Sequence, residues 1–263
     1  MKLLFIGDIV GRTGRDAVTR LLPGLRDEFS IDATIVNVDN AAGGFGVTKE
    51  VCSKLFDAGA TALTTGDHLW DQKGMPELLE KESRLLRPHN FPSDTPGSGC
   101  RLFTLPNGKR LLILHLLGQV FHREYLDSPF RAAVEALKPY DLGRNVDAIF
   151  VDMHAEATSE KNAMGVFLDG GVSAVIGSHT HIPTADARIL AKGTAYQTDA
   201  GMCGDYANTI IGFQPEAPMQ QFWGKYRKIR MEPGIGPGTV CGCVIDVGEN
   251  GLAQSITPIQ RMV

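Results

Sequence analysis

The sequence has no surplus of basic charge, no long apolar run and no paired-cysteine motif, and each shortage closes a class of function. Its 263 residues carry a formal charge of −4, whereas a dedicated nucleic-acid binder carries a clear basic excess. The one basic run, KYRKIR at 225–230, holds an aromatic and reads as a solvated edge strand or loop rather than a phosphate-contacting patch. Five cysteines, at 52, 100, 203, 241 and 243, are an odd number without CxxC spacing, and CGC at 241–243 is too close for a zinc finger. Scattered thiols of this kind serve as small core residues and suit a reducing cytosol. No apolar stretch approaches the roughly 20 residues of a membrane span. MKLLFIGD breaks at Gly7 and Asp8, too soon for a signal-peptide core, so a cytoplasmic location is expected.

Missing motifs narrow the chemistry further. There is no GxxxxGK[ST] loop, and Gly7, Gly11 and Gly14 follow the first apolar run with GxxxGxxG spacing, which misses the dinucleotide fingerprint. No GxSxG elbow supports a Ser-His-Asp hydrolase. No repeat, low-complexity tract or linker-like composition shift interrupts the chain, so one domain over 1–263 is expected.

What is present is a recurring unit: an apolar run, a polar residue at its C-terminal end, then a glycine-rich or helical stretch. The runs are LLFI (3–6) before Asp8, ATIVNV (33–38) before Asp39-Asn40, TALTT (61–65) before Asp67-His68, DAIFVDM (147–153) before His154, and SAVIGS (173–178) before His179 and His181. Helical patterns lie over Gly14 to Phe29, Thr48 to Ala58 and Ser159 to Leu168, with Val18, Leu21, Leu22 and Leu25 at three- and four-residue spacing in the first. Alternating strands and helices imply a mainly parallel, layered sheet. The RLFTL–KRLLILHLLG stretch (101–118) reads as a hairpin turning at Asn107-Gly108, and a second hairpin closes the chain around GENG (248–251). The expected architecture is therefore a sandwich of two sheets with helices outside.

In parallel sheets, ligands bind beyond the carboxyl ends of the strands. Asp8, Asp39, Asp67, His154, His179 and His181 would all face one such edge. Burying that many polar groups together is costly unless something pairs with them, and a metal is the economical partner. In an extended HxH, both imidazoles point the same way. Carboxylates with imidazoles and no thiolate fit Mn, Fe or Zn. Six ligands exceed one tetrahedral site, so two ions sharing a bridging carboxylate are expected, with a hydroxide between them attacking a phosphoester in line. Of the remaining residues, Asp71 reads as a helix N-cap or surface group, Trp70 as packing near the site mouth, and Asp199 as support for the rim. His89, His115 and His122 have no companions at strand ends, and His115 reads as a satisfied core or cross-sheet histidine.

Together, Asp8, DNAAGGFG (39–46), GDH (66–68), FVDMHAEATSEKNAMG (150–165), VIGSHTHIPTADARIL (175–190) and GTAYQTDAGMCG (193–204) resemble the calcineurin-like metallophosphoesterases, and within them the YmdB-like bacterial phosphodiesterases, through nearly the whole chain. The resemblance implies an αββα sandwich of two mixed sheets flanked by helices. It also implies a two-metal site and hydrolysis of small phosphodiesters such as 2′,3′- or 3′,5′-cyclic AMP. By position, Asp8, Asp39 and His181 would hold the first ion, with Asn40 as a further ligand or phosphate contact. Asp39, Asp67, His154 and His179 would hold the second, and His68 would bind the phosphate or protonate the leaving oxygen. Two positions depart from the family pattern, which usually has Glu at Asp39 and Asn at Asp67. The extra charge of Asp67 should hold metals more firmly while attracting an anionic phosphate less and raising the pKa of the nucleophilic water. The alternatives are a phosphomonoesterase or nucleotidase using the same centre, and a metal-stabilised regulatory protein with little turnover. A homo-oligomer is expected by resemblance alone, and neither a membrane nor a nucleic-acid partner is expected.

Overall fold

In a computed structural model, residues 1–122, 126–224 and 229–263 are described. The expectation for KYRKIR thus falls outside the described residues except at Ile229 and Arg230. One sheet has the order β2 (Asp8–Ile9), β12 (Met202–Asp205), β13 (Gly238–Val247), β1 (Lys2–Ile6), β3 (Ala33–Asn37), β4 (Ala62–Thr64) and β5 (Leu85–Leu86), with β14 (Ala253–Met262) paired to β13. The second has the order β10 (Arg188–Ile189), β11 (Ala195–Gln197), β9 (Ala174–Ser178), β8 (Ala148–His154), β7 (Arg110–Leu117) and β6 (Cys100–Thr104). β1, β3, β4 and β5 run parallel to one another, as do β7, β8, β9 and β11, while the second sheet's edge strands β6 and β10 pair antiparallel with β7 and β11.

Each strand places alternate side chains on opposite faces, and the clusters follow that rule. Leu3, Phe5, Ile35, Ile113, Phe150 and Ile176 meet between the two sheets. Leu4, Ile6, Val36 and Leu63 point the other way, onto α1 (Gly11–Phe29), α2 (Lys49–Asp57) and α3 (Met75–Lys81). Leu112, Leu114, Ile149 and Val151 face α4 (Pro129–Leu137) and α5 (Thr158–Leu168) on the far side. The result is the αββα sandwich that the resemblance implies. A short α6 (Glu216–Phe222) precedes the last hairpin.

Two local differences from expectation bear on the site. The first strand ends at Ile6, as the break at Gly7 implies, but Asp8 then lies in a separate short strand paired with Met202. Gly7 passes so close to the Gly201 carbonyl that a Cβ could not be fitted. In addition, α3 starts at Met75 with Gly74 as its N-cap, so Asp71 caps no helix. Among the described residues, no helix is long and apolar enough to cross a membrane.

Candidate metal centre

The seam between the sheets changes character along its length. Toward the C-terminal ends of the parallel strands, the inward positions become polar: Asn37, Thr64, His115, Asp152, His154 and Ser178 are all fully buried. Just beyond lie Asp39, Asp67 and His179, so one end of an otherwise apolar interface collects carboxylates and imidazoles. The first sheet supplies Asp8, Asp39 and Asp67, and the second supplies His154, His179 and His181.

His154 Nε2, His179 Nδ1 and Asp67 Oδ1 form a triangle with all three sides at 3.2 Å. A tetrahedral ion with bonds of about 2.0–2.1 Å spaces its ligands by roughly 3.3 Å. Hydrogen bonds alone suit the triangle poorly, because two ring nitrogens that each donate to Asp67 would then turn N–H groups toward each other. Asp39 adds a second edge: its Oδ2 is 3.5 Å from His154 Nε2, and both of its oxygens accept from the His68 backbone N–H, at 3.2 and 3.3 Å. The ligand atoms of Asp67, His154 and His179 lie close enough to hold one ion, as do those of Asp39, Asp67 and His68.

Asp8 is completely buried; its Oδ2 accepts from the His179 N–H at 3.1 Å, and its Oδ1 has no hydrogen-bond partner among the described residues. Burial pushes its carboxyl up, against the pull of His154 and His181. An orphaned buried carboxylate oxygen is expensive unless a cation meets it. On the other flank, His181 Nδ1 donates to the Ile211 carbonyl (2.7 Å), and its Nε2 stands 3.1 Å from Asn40 Oδ1. Asn40 cannot turn its amide to help, since Nδ2 already donates to the Gly44 carbonyl at 3.0 Å. A neutral His181 would meet Asn40 Oδ1 lone pair to lone pair. Each anomaly is one that a bound cation relieves, so the donor set fits metal ions.

The electrostatics agree. Burial disfavours a charged His154, but Asp39, Asp67 and Asp8 outweigh it and hold the ring well above the ordinary histidine range. Burial likewise opposes the Asp67 carboxylate, yet hydrogen bonds from His154 and His179 hold it well below the usual carboxylate range. Space is tight: a Cβ on Gly66 would run into His154 Nε2 and the Asp39 carboxyl carbon. His179 and His181 sit at φ 96° and 68°, left-handed conformations that bulky residues adopt only where the surroundings over-determine them.

His68 stands at the rim. Its Nδ1 meets Asp71 Oδ2 at 2.7 Å and its Nε2 lies 3.9 Å from Asp67 Oδ2. Burial lowers its pKa less than Asp39, Asp67 and Asp71 raise it.

The family model for YmdB-like proteins matches residues 4–259. The chain belongs to the YmdB-like family. It is 43% identical over 263 residues to the 2′,3′-cyclic-nucleotide 2′-phosphodiesterase of Bacillus subtilis, covering 100% of this chain and 97% of that protein. Among solved structures, a phosphatase from Mycoplasma pneumoniae matches with a TM-score of 0.92 at 32% identity, covering 100% of this chain and 93% of that one. A hypothetical protein from Thermus thermophilus matches with a TM-score of 0.91 at 38% identity, covering 100% and 99%.

For a YmdB-like chain read from sequence, the structure both gathers and adds. It brings Asp39, Asp67, His68, His154 and His179 into common groups, sets Asp8 against His154 (3.7 Å from Oδ1 to Nδ1), and pairs Asn40 with His181. Asp8 and His181 stand outside the two close groups of ligand atoms among the described residues. Several partners were not visible in the sequence. Asp71 holds His68; Glu156 Oε2 is 3.1 Å from His179 Nε2; and His122 brings its ring centroid to 4.9 Å from that of His179. Burial, helped by His154 and His179, pushes the His122 pKa down to about 4. His115 is a fully buried histidine whose Nδ1 lies 3.4 Å from the Asp152 carbonyl, while its Nε2 has no hydrogen-bond partner among the described residues. Asp199 does support the rim: it accepts from Lys161 and from the backbone and hydroxyl of Thr180, between the two histidines.

Proposed function

We propose that the protein is a metal-dependent phosphoric diester hydrolase acting on small phosphodiesters, with 2′,3′- or 3′,5′-cyclic AMP as leading substrates. The observation that carries this reading is the 3.2 Å triangle of His154 Nε2, His179 Nδ1 and Asp67 Oδ1, set beside the carboxylate of Asp39. Cyclic nucleotides as substrates come from the activity for which the Bacillus relative is named and from the family resemblance.

Two transition-metal ions, iron or manganese with zinc as a further fit, would be held in two sets. Asp8, Asp39 and His181 with Asn40 would take the first, and Asp39, Asp67, His154 and His179 the second. When bound, the ions supply Lewis acidity and lower the pKa of the attacking water. The chain's own residues do the rest. Asp71 engages His68 Nδ1, so Nε2 is the atom that faces the cleft and can carry a proton to the leaving oxygen. The three carboxylates around His68 outweigh its burial and raise the ring's pKa above the ordinary histidine value, which favours the proton-carrying form. Asn40 is fixed by Gly44 and presents its amide oxygen, not its nitrogen, toward His181, which favours a ligand role over phosphate binding. A single domain, a cytoplasmic location and self-association complete the reading; the five cysteines, none in a disulfide, support the second of these.

The test is hydrolysis of a chromogenic phosphodiester and the matching monoester by manganese-loaded protein, with a chelator control and then both cyclic AMP isomers. Chelator-sensitive cleavage that prefers the diester supports the reading. Preference for the monoester would favour a phosphatase, the activity for which the Mycoplasma pneumoniae neighbour is named. Full metal loading without turnover would overturn it in favour of a regulatory protein.

A further inference from the structure

Beneath the candidate ligands lies a buried carboxylate that the proposed reaction does not use. Asp152 precedes His154 by two residues on β8, so both side chains project into the seam, and it is completely buried. Thr64 Oγ1 donates to its Oδ2 at 2.6 Å, Asn37 Nδ2 donates to the same oxygen at 3.1 Å, and Ser178 Oγ donates to its Oδ1 at 2.6 Å. His115 Nδ1 stands 3.4 Å from Oδ2. Ser178 Oγ is in turn 2.9 Å from His154 Nδ1.

We infer that Asp152 is a positioning residue that sets the tautomer of His154 through Ser178. A hydroxyl carries one proton, and Ser178 directs it at Asp152 Oδ1, the acceptor it meets at 2.6 Å. Ser178 Oγ can then only accept from His154, which places a proton on Nδ1. Asn37 does not reverse this. Its Oδ1 accepts from the Asp39 N–H (3.0 Å), and the two hydrogens of its Nδ2 go to the nearer partners, the Thr65 carbonyl at 3.0 Å and Asp152. In the neutral ring that a metal requires, a proton held on Nδ1 leaves the lone pair of His154 on Nε2, the nitrogen aimed at Asp67, Asp39 and His179. Metal-bound histidines commonly have their second nitrogen fixed by a carboxylate or carbonyl; here a serine is interposed between the carboxylate and the ring.

The inference rests on the metal reading of His154, and the shape of Asp152 suggests a test. In Asp152→Asn the volume is kept, but one oxygen becomes an amide nitrogen. Two donors, Thr64 and Asn37, crowd the Oδ2 position, so the remaining oxygen stays there and the amide nitrogen faces Ser178. Ser178 then accepts from Asn and turns its own proton to His154 Nδ1, which moves the ring proton to Nε2 and blocks the ligating lone pair.

The experiment is zinc titration of the metal-free full chain by calorimetry for wild type, Asp152→Asn, Ser178→Ala and the double variant. It is paired with nitrogen-15 spectroscopy of the zinc-loaded imidazoles and circular dichroism to confirm folding. Loss of an outer partner of this kind weakens metal binding by roughly 10–100-fold. Expected are a loss in that range for Asp152→Asn, little further loss when Ser178→Ala already carries it, and an exchange-protected Nδ1–H signal for His154 in wild type that Ser178→Ala removes. Wild-type affinity in Asp152→Asn, or losses that simply add in the double variant, would overturn the relay while leaving the metal reading intact. Failure of wild type to bind zinc would overturn both. If Asp152→Asn does not fold, Ser178→Ala decides alone: an unchanged Nδ1–H signal and affinity overturn the inference.

Discussion

Lys161 and Asp199 are both completely buried and meet at 2.7 Å. Asp199 Oδ2 also accepts from the Thr180 backbone N–H (3.0 Å) and hydroxyl (2.7 Å), and its Oδ1 accepts from the Gly201 N–H at 2.8 Å. The carboxylate thereby clamps the turn in which His179 and His181 hold positive φ. Lys161→Met keeps the length and apolar stem of the side chain but leaves Asp199 buried without its cation. Breaking a buried pair from one side costs about 3–5 kcal/mol. Spread over a chain of this length, at about 2–4 °C per kcal/mol, that lowers Tm by roughly 6–20 °C. Denaturant unfolding and calorimetry should be run with chelator present, because a ligand that binds only the folded state would mask the loss. Lys161→Met/Asp199→Asn, which removes both charges, should be less damaged than the sum of its single variants by at least about 1 kcal/mol. A loss below about 1 kcal/mol for Lys161→Met, or strict additivity in the double variant, would refute the claim that this pair is a coupled buried ion pair.

Three further outcomes follow from the same geometry. In the metal-free protein, His68 should titrate above the usual value of about 6.5, and Asp71→Asn should bring it down by removing one of its three carboxylate neighbours, as proton NMR can follow. Because its folded pKa is raised, the stability His68 contributes is full below the unfolded pKa and lost as pH rises through the folded one. An unshifted titration in the variant would mean that Asp71 does not engage the ring. Asp186 runs the other way: against burial, hydrogen bonds from Thr184, Thr198 and Arg188 depress its carboxyl. Its contribution is present above the unfolded pKa and lost as pH falls through the folded one, so Asp186→Asn should flatten the acid limb of a Tm–pH curve, and an unchanged limb would count against the contacts. Finally, Gly66→Ala drives a methyl group into His154 and Asp39 and should abolish manganese uptake; tight uptake by that variant would contradict the crowding seen around Gly66.

Which polar residues gather at one edge of the sheets was legible in the sequence. Asp8, Asp39, Asp67, His154, His179 and His181 each follow an apolar run, and parallel strands deliver their C-terminal ends to a common edge, so a one-dimensional pattern predicted a three-dimensional gathering. The long, strongly periodic α1 was legible for the same reason, although it begins at Gly11 rather than Gly14. Short helices such as α3 and α6 were not, because seven residues span barely two turns and carry little periodic signal. Only the tertiary structure decided the partners of those residues. Asn37 reaches Asp152 across 115 positions of sequence, and Ser178 reaches His154 from a neighbouring strand. Which donor meets which acceptor depends on how the two sheets stack and on strand register, and a polar residue in a strand carries no local mark of what will face it. The same limit explains Asp71: a carboxylate three residues after a histidine looks like a cap until the helix is seen to start at Met75 and the ring to turn back onto it.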